Sequence, residues 1–400
     1  MKLKKKILVT ICVLFLIILL MFLNLFSIAA TSNNPGLISS ETAILIDGTT
    51  GEVLFEKNSH KPMYPASITK ILTAIIAIEE GDLSDNVLVS KKARDVDGTR
   101  VYLEPGEQVP LKKLVQGLLI NSGNDAGVAI AEHMAGSVES FSNEMNRFTK
   151  EKIGVDNSTF KNPHGLFDIN HQTTAYDMAM ITKYAMKNKE FREIFRTKEL
   201  RWVGEGWDTT LYNHHKMLWR YEGVNGGKNG YVDQSGTTLV TTAKREETEL
   251  IAVALKANSS EAAYSDTTSL LDYGFTHFLT QKFSKDDLTT IHSAEGYNID
   301  KNLFFTAGVN IPIISEVNKD GLLVIKDQNE KVLLEYSLTK ELKKTKKSEE
   351  VKMVKFSPLV IITYLLVALY IVFLLVMIYL IRLRSIKSRR QKYSSFKYHH

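Results

Sequence analysis

Cysteine is almost absent: Cys12 is the only one in the 400-residue chain. It lies inside an apolar run, so the body of the chain has no disulfide and no thiol nucleophile, and its stability must come from a packed core. Metal-ligand patterns are missing too. The histidines are scattered, and His214 and His215 are adjacent rather than at helical ligand spacing, so no metal is expected. No glycine-rich loop follows a strand and opens a helix, which removes the usual phosphate-binding signatures and leaves no cofactor to expect. A basic body is also lacking. The formal net charge is +5. However, Lys2, Lys4, Lys5 and Lys6 precede the first apolar stretch, and Arg382, Arg384, Lys387, Arg389, Arg390, Lys392 and Lys397 follow the last one. The residues between show neither the charge nor the aromatic-basic interleaving of a nucleic-acid binder.

What the chain does have is an ordinary globular composition, 44% apolar and 24% charged, with length for a large core and a second domain. Two long apolar runs bracket it. Ile7 to Ala30 follows a basic start and reads as an export signal, with Ser27-Ile28-Ala29 supplying small residues for cleavage. The run is also long enough to span a bilayer, so residues 1–30 are expected to be a signal peptide or an N-terminal anchor. Pro358 to Ile381 carries no charge and is of spanning length. The basic tail after it, residues 382–400, places the C-terminus in the cytoplasm and the body outside. Residues 340–357 form a charged linker to this transmembrane helix.

Tyr64-Pro65-Ala66-Ser67-Ile68-Thr69-Lys70 stands out within the body. An apolar run from Ile71 to Ile78 follows and Gly81 ends it, which predicts a buried helix with Ser67 in its first turn. Ser67 and Lys70 would share one helix face, where the lysine amine can reach the serine hydroxyl. A serine needs such a base near neutral pH, and a desolvated lysine can be one. The spacing alone decides nothing, since Ser158–Lys161, Ser337–Lys340 and Ser394–Lys397 repeat it. Context separates Ser67: a proline before it and a long apolar helix after it.

Along the chain, residues 42–56 read as a hairpin around Asp47-Gly48-Thr49-Thr50-Gly51, and residues 82–110 as loops with short strands. Helices are expected over 111–120 and 126–134, joined at Asn121-Ser122-Gly123-Asn124-Asp125, which by itself is also an ordinary turn. Further helices are expected over 141–152, 174–186 and 266–278. Residues 202–212 look extended, Lys228 lies in a glycine-flanked strand, and 237–243 with 249–257 form the clearest strand pair. Phe283 to Leu338 holds short β-type segments and no catalytic constellation, and reads as a small β domain.

Ser67-x-x-Lys70, Ser122-Gly123-Asn124 and Lys228-Asn229-Gly230 occur in that order. The ordered trio is far more specific than any one of them and matches the motif set of penicillin-binding proteins and serine β-lactamases. The chain resembles the D-alanyl-D-alanine carboxypeptidases of the low-molecular-weight penicillin-binding proteins. The likeness runs from about Glu41 to Phe278 and includes Asn162-Pro163-His164-Gly165-Leu166, Gly223-Val224 and Leu270-Leu271-Asp272-Tyr273-Gly274-Phe275.

The resemblance implies an α/β fold of the β-lactamase/transpeptidase type over residues 31–282, with an antiparallel sheet and a helical cluster. A small β-rich domain over 283–339 and the transmembrane helix over 358–381 follow it. It also implies roles. Ser67 attacks the carbonyl between two terminal D-alanines and Lys70 takes its proton. Ser122 relays a proton to the leaving amine, and Asn124 orients Lys70 and the substrate amide. Lys228, Asn229, Gly230 and Tyr231 bind substrate, with the N–H groups of Ser67 and Tyr231 as the oxyanion hole. The implied partners are a peptidoglycan stem peptide ending in D-Ala-D-Ala, β-lactams as covalent inhibitors, and the bacterial cell membrane, with the catalytic domain on its outer face.

Two departures stand in the third motif, where the family usually has threonine at Asn229 and commonly at Val232. They bear on carboxylate binding and motivate a rival reading, a stem-peptide or β-lactam sensor without turnover. A second rival, a β-lactamase, lacks its mark: no Glu-x-x-Leu-Asn occurs between Ser122 and Lys228.

Overall fold

The structure is a computed structural model that describes residues 34–340. The expected leader or anchor and the C-terminal transmembrane helix lie outside the described residues, as does the linker after Lys340. Among the described residues no helix is long and apolar enough to cross a membrane.

The hairpin expected over 42–56 forms as β1 (Thr42–Asp47) and β2 (Val53–Lys57), paired antiparallel. Ala43-Ile44-Leu45-Ile46 is apolar throughout because β1 is covered on both faces. Successive strand side chains point to opposite sides, so Ile44 and Ile46 join one core while Ala43 and Leu45 join another.

After β2 the chain makes a 3-10 turn, Ala66–Thr69, and enters α1 (Lys70–Glu80). The α-helix therefore starts at Lys70, and Ser67 sits in the tighter turn before it. The stretch read as loops and short strands contains β3 (Asn86–Leu88), a helix α2 (Lys91–Asp95) and β4 (Gln108–Pro110). Ser90 starts α2 by accepting the Ala93 N–H, which satisfies a donor that the helix leaves unpaired. Helices α3 (Leu111–Ile120) and α4 (Asn124–Ala135) flank the Ser-Gly-Asn turn, with α4 starting two residues earlier than the apolar pattern suggests.

Helix α5 (Val138–Phe148) starts three residues before the expected point, capped by Ser137, and ends four residues before it, where Thr149–Ile153 widen into a π-helical turn. Helix α6 (Ala175–Ala185) carries the expected threonine cap, Thr174 accepting from Asp177 N. Helix α7 (Lys189–Phe195) precedes the extended region, which is a hairpin of β5 (Glu199–Val203) and β6 (Asp208–Tyr212).

Strands β7 (Val224–Val232), β8 (Gly236–Arg245) and β9 (Thr248–Ala257) complete the main sheet, ordered β2-β1-β9-β8-β7. Helix α8 (Ser260–His277) starts six residues before the expected point, capped by Ser259. Its Leu270 and Leu271 cover the β1 face that carries Leu45. The opposite face meets α1, α3, α4 and α6, whose Ile71, Leu118, Ile130 and Ile181 are fully buried with Ile251 and Val253. Apart from Lys70, Thr73 and the closing Glu79-Glu80, helix α1 is apolar because it runs through the middle of this cluster.

Beyond α8, β10 (Phe278–Phe283) pairs with a strand at Leu303–Gly308, and Ile313–Val317, Leu322–Asp327 and Val332–Ser337 form a three-stranded sheet. Phe283, Leu303, Phe305, Leu323 and Ile325 give this part its own core. Buried Asp47 at the end of β1 ties it to the sheet, accepting from Thr280 Oγ1 at 2.6 Å and Thr306 Oγ1 at 2.8 Å.

Candidate active site

The turn that carries Ser67 is shaped by two neighbouring backbones. Ala66 adopts a left-handed φ of +49°, a cost that the surrounding packing imposes. On one side is β7, where a Cβ on Gly230 would stand 2.6 Å from Ser67 N. On the other is Gly165, at φ +87°, whose absent side chain leaves room for the Ala66 carbonyl. Thr238 Oγ1 on β8 also donates to Pro65 O at 2.8 Å. The helix start is thus clamped between the sheet edge and the 158–173 loop.

Helix α1 and the residue before it hold that loop through hydrogen bonds on one face. Thr69 Oγ1 meets His171 Nε2 at 2.9 Å, and Thr73 Oγ1 donates to Pro163 O at 2.7 Å. Between them, Lys70 Nζ donates to Ser67 Oγ at 2.8 Å and to His164 O at 2.7 Å. Lys161 N donates to His171 Nδ1 at 3.1 Å, so the ring's proton is on Nε2 and points to Thr69.

Lys70 is fully buried. Burial first, and then the Lys228 charge, hold its amine well below the usual lysine range, while Asp125 opposes the shift. Such an amine is available as a base near neutral pH. Lys228, also buried, is pushed down to about 7 by burial alone and donates to Asn229 O at 2.9 Å. His164 is held well below the usual histidine value, by burial first and then by Lys70, so it is neutral beside the base.

The Ser122 turn lies between α3 and α4. Ser122 itself has φ +64°, an uncommon conformation outside glycine. Asn124 N donates to Thr99 O and its Nδ2 to Asp97 O, both at 2.7 Å. Asn121 Nδ2 donates to Arg100 O at 2.9 Å. Asp125, fully buried, accepts from Val101 N, Leu103 N and Ala126 N. Asn121, Asn124 and Asp125 therefore strap the 97–103 loop over the start of α4. Lys70 was expected to be oriented by Asn124. Its hydrogen bonds go to Ser67 and His164 instead, and the Asn124 amide is engaged by Asp97.

Strand β7 brings the last motif to the sheet edge, with Asn229 opposite Leu239, Gly230 opposite Thr238 and Tyr231 opposite Thr237. Asn229 Oδ1 is buried without a hydrogen-bond partner, and Tyr231 is exposed, its hydroxyl donating to Asp233. Behind β7, a Cβ on Gly227 would collide with the buried His215 ring, whose Nε2 meets Thr241 Oγ1 at 3.1 Å.

Sequence reasoning missed the acceptor at His164 O, the His171 staple and the Asp125 strap. Asn-Pro-His-Gly was visible as a turn, but nothing in it pointed to a main-chain oxygen meeting Lys70. No group of metal-ligating side chains occurs among the described residues. The arrangement is a serine hydroxyl hydrogen-bonded to a desolvated lysine, next to a second lysine on a strand edge, which is equipment for nucleophilic acyl transfer.

Comparison with known proteins agrees with that chemistry. The family described as D-alanyl-D-alanine carboxypeptidase, Peptidase_S11, matches residues 29–259. The chain is 34% identical over 288 residues to the D-alanyl-D-alanine carboxypeptidase DacF of Bacillus subtilis, covering 70% of this chain and 74% of that one. It is 34% identical over 267 residues to DacC of Escherichia coli, covering 64% and 66%. Among solved structures, penicillin binding protein 6B from Escherichia coli superposes with a TM-score of 0.66 at 27% identity, covering 78% of this chain and 98% of that one. Penicillin binding protein 5 from Haemophilus influenzae gives 0.66 at 26% identity, covering 77% and 98%. The chain belongs to the D-alanyl-D-alanine carboxypeptidase family of serine peptidases.

Proposed function

We propose that this chain removes the terminal D-alanine from peptidoglycan stem peptides through an acyl-enzyme on Ser67. The observation that carries the mechanism is the 2.8 Å hydrogen bond from fully buried Lys70 to Ser67 Oγ. Neutral Lys70 takes the hydroxyl proton as Oγ attacks the carbonyl between the two D-alanines. The developing oxyanion is received by the N–H groups of Ser67 and Tyr231, each donor worth about 3 kcal/mol. The C–N bond breaks as the proton taken by Lys70 passes through Ser122 to the leaving amine, so D-alanine departs and Lys70 is neutral again. Water then attacks the ester, its proton returns through Lys70, and Ser67 is released.

Lys228 supplies positive charge near the terminal carboxylate, and the Asn229 amide donates to that carboxylate. Asn124, fixed by Asp97, presents its remaining amide oxygen to the substrate N–H. β-Lactams enter the same cycle and stay on Ser67, a reading supported by the lack of a Glu-x-x-Leu-Asn sequence between Ser122 and Lys228, the pattern that carries the deacylating glutamate of class A β-lactamases. The two apolar runs support a membrane-attached enzyme facing the cell wall. Protease shaving of intact cells, which should remove the catalytic body and spare the C-terminal tail, tests that attachment.

The decisive experiment incubates the full-length protein with a pentapeptide ending in D-Ala-D-Ala, beside Ser67→Ala, and measures free D-alanine. Release that depends on Ser67 is expected. Covalent penicillin labelling without release would favour a sensor instead.

A further inference from the structure

A cavity of about 460 Å³ opens where the β1–β2 turn meets the small β domain. That volume falls within the roughly 300–1,000 Å³ of small-molecule sites. Its walls are fixed by hydrogen bonds. Asp47 accepts from Thr49 N at 2.8 Å and from Thr50 N at 3.0 Å. Thr50 Oγ1 meets Thr306 Oγ1 at 2.7 Å, and Lys183 Nζ donates to Thr50 O at 2.9 Å. Asp47 also holds Thr280 and Thr306, so the turn and the strand Leu303–Gly308 keep one arrangement.

The lining is mixed. Phe304, 40% exposed, and the half-buried Tyr336 and Leu334 give apolar surface, and Thr49, Glu52 and Lys301 give polar groups. Glu52 Oε1 accepts from Lys331 Nζ at 2.8 Å, which leaves Oε2 as an acceptor. Lys301 Nζ sits 5.7 Å from the Tyr336 ring centroid, a cation–π contact that holds the ammonium beside the ring. These groups select among ligands. A lipid chain would bury a carboxylate and an ammonium against hydrocarbon. A phosphate would meet Glu52 as well as Lys301. A pyranose suits both halves of the lining. The weakly positive C–H face of the ring lies on the negative face of an aromatic side chain. Its hydroxyls exchange hydrogen bonds with a carboxylate, an ammonium and a threonine hydroxyl. An N-acetyl group adds an N–H that a carboxylate accepts and a methyl that an aliphatic wall covers.

The cavity is separate from the Ser67 site. Asp47 stands opposite Leu250, Leu250 opposite Ala243, and Ala243 opposite Val224. Gly230, packed on the Ser67 turn, lies six residues further along β7 and three strands across from β1. At about 3.3 Å per residue and about 4.8 Å per strand, the separation is about 25 Å. A five-residue stem peptide spans at most about 17 Å, so the sugar that bears a reacting stem is not the one held here.

We propose that this cavity binds an N-acetylhexosamine segment of the cell-wall glycan and tethers the enzyme to its polymeric substrate away from the catalytic centre. The choice of a cell-wall glycan rests on the carboxypeptidase reading above. The test titrates full-length wild type, Phe304→Ala and Thr49→Trp with tetra-N-acetylchitotetraose by calorimetry, beside maltotetraose, which lacks N-acetyl groups. Phe304→Ala removes an aromatic face, and Thr49→Trp fills the cavity from the exposed turn. Wild type should bind the N-acetylated tetramer saturably and maltotetraose at least about tenfold more weakly. Each substitution should weaken tetramer binding by about tenfold or more. D-alanine release from a soluble pentapeptide should stay within about twofold, as for sites this far apart. No tetramer binding by wild type, equal binding of maltotetraose, or unchanged binding in either variant would overturn the site. A matching fall in D-alanine release would show that the substitutions act through the fold, and would overturn it too. Wild type that binds the tetramer but frees no D-alanine would bring down the carboxypeptidase reading and leave the glycan site standing.

Discussion

Gly165→Ala should silence the enzyme while leaving it folded, and a second glycine supplies the control. Gly165 and Gly106 both have left-handed backbones, φ +87° and +91°. An alanine in that conformation costs about 1–2 kcal/mol at either site. At Gly106 nothing lies within 4 Å of the new methyl group, so strain is the whole effect. For a body of this size that lowers Tm by about 2–8 °C, at 2–4 °C per kcal/mol.

At Gly165 the methyl group would overlap the Ala66 carbonyl and stand 3.0 Å from Ser67 N. The carbonyl would have to retreat by more than an ångström, taking the Ser67 turn with it, or the 158–173 loop would have to lift from Lys70. A displacement of about 1 Å at a reacting group costs about a hundredfold in rate. Stopped-flow acylation by a fluorescent penicillin, with melting curves for both variants, separates the two effects. The expected result is a larger loss of Tm in Gly165→Ala, which carries the overlap as well as the strain, and about a hundredfold slower acylation in that variant alone. If both variants acylated at the same rate, the clamp would have no part in positioning Ser67.

Lys228→Met removes the charge that, after burial, most depresses Lys70. The Lys70 pKa should rise, moving the acid limb of the acylation profile to higher pH; a limb that stays in place or moves down contradicts the coupling. Native Lys228 loses its proton at about 7, whereas an unfolded lysine keeps it to about 10.4, so the unfolded chain binds more protons in this window. Stability of wild type relative to Lys228→Met should therefore rise with pH from about 7 to about 10 in denaturant titrations, and a flat difference would mean that Lys228 is charged in the native state. Asp125→Ala strands the N–H groups of Val101, Leu103 and Ala126 and should cost about 3 kcal/mol or more by the same titrations. A loss below about 1 kcal/mol would show that the 97–103 loop is held by other means. Asn229→Ala removes an amide donor from the substrate side of β7, so KM for a D-Ala-D-Ala peptide should rise about tenfold with kcat nearly unchanged; an unchanged KM would take Asn229 out of carboxylate recognition.

Much of the site was legible because its chemistry needs particular residue types at local spacings. Ser67 and Lys70 are a helical turn apart, so their meeting at 2.8 Å follows from short-range geometry once a buried helix is recognised. The same holds for the β1–β2 hairpin, with its apolar strand and glycine-rich turn, and for the Thr174 cap of α6. Boundaries were less legible where a cap overrides the apolar pattern, as at Ser90 and Ser259, or where a turn residue takes an unusual φ, as at Ala66 and Ser122.

By itself the sequence determined the kind of chemistry, the order of its motifs, the absence of disulfides and the presence of two spanning-length apolar runs. Tertiary structure alone decided what surrounds the base. The carbonyl of His164 is 94 positions from Lys70 along the chain, and the strap from Asp125 reaches back 24 positions to Val101. Every residue carries a main-chain carbonyl and nearly every one an amide N–H, so residue type cannot announce which of them will be used. Nor can it announce the depth of burial that depresses Lys70 and Lys228, because that depends on α1 passing through the core and β7 closing the sheet edge over the Ser67 turn.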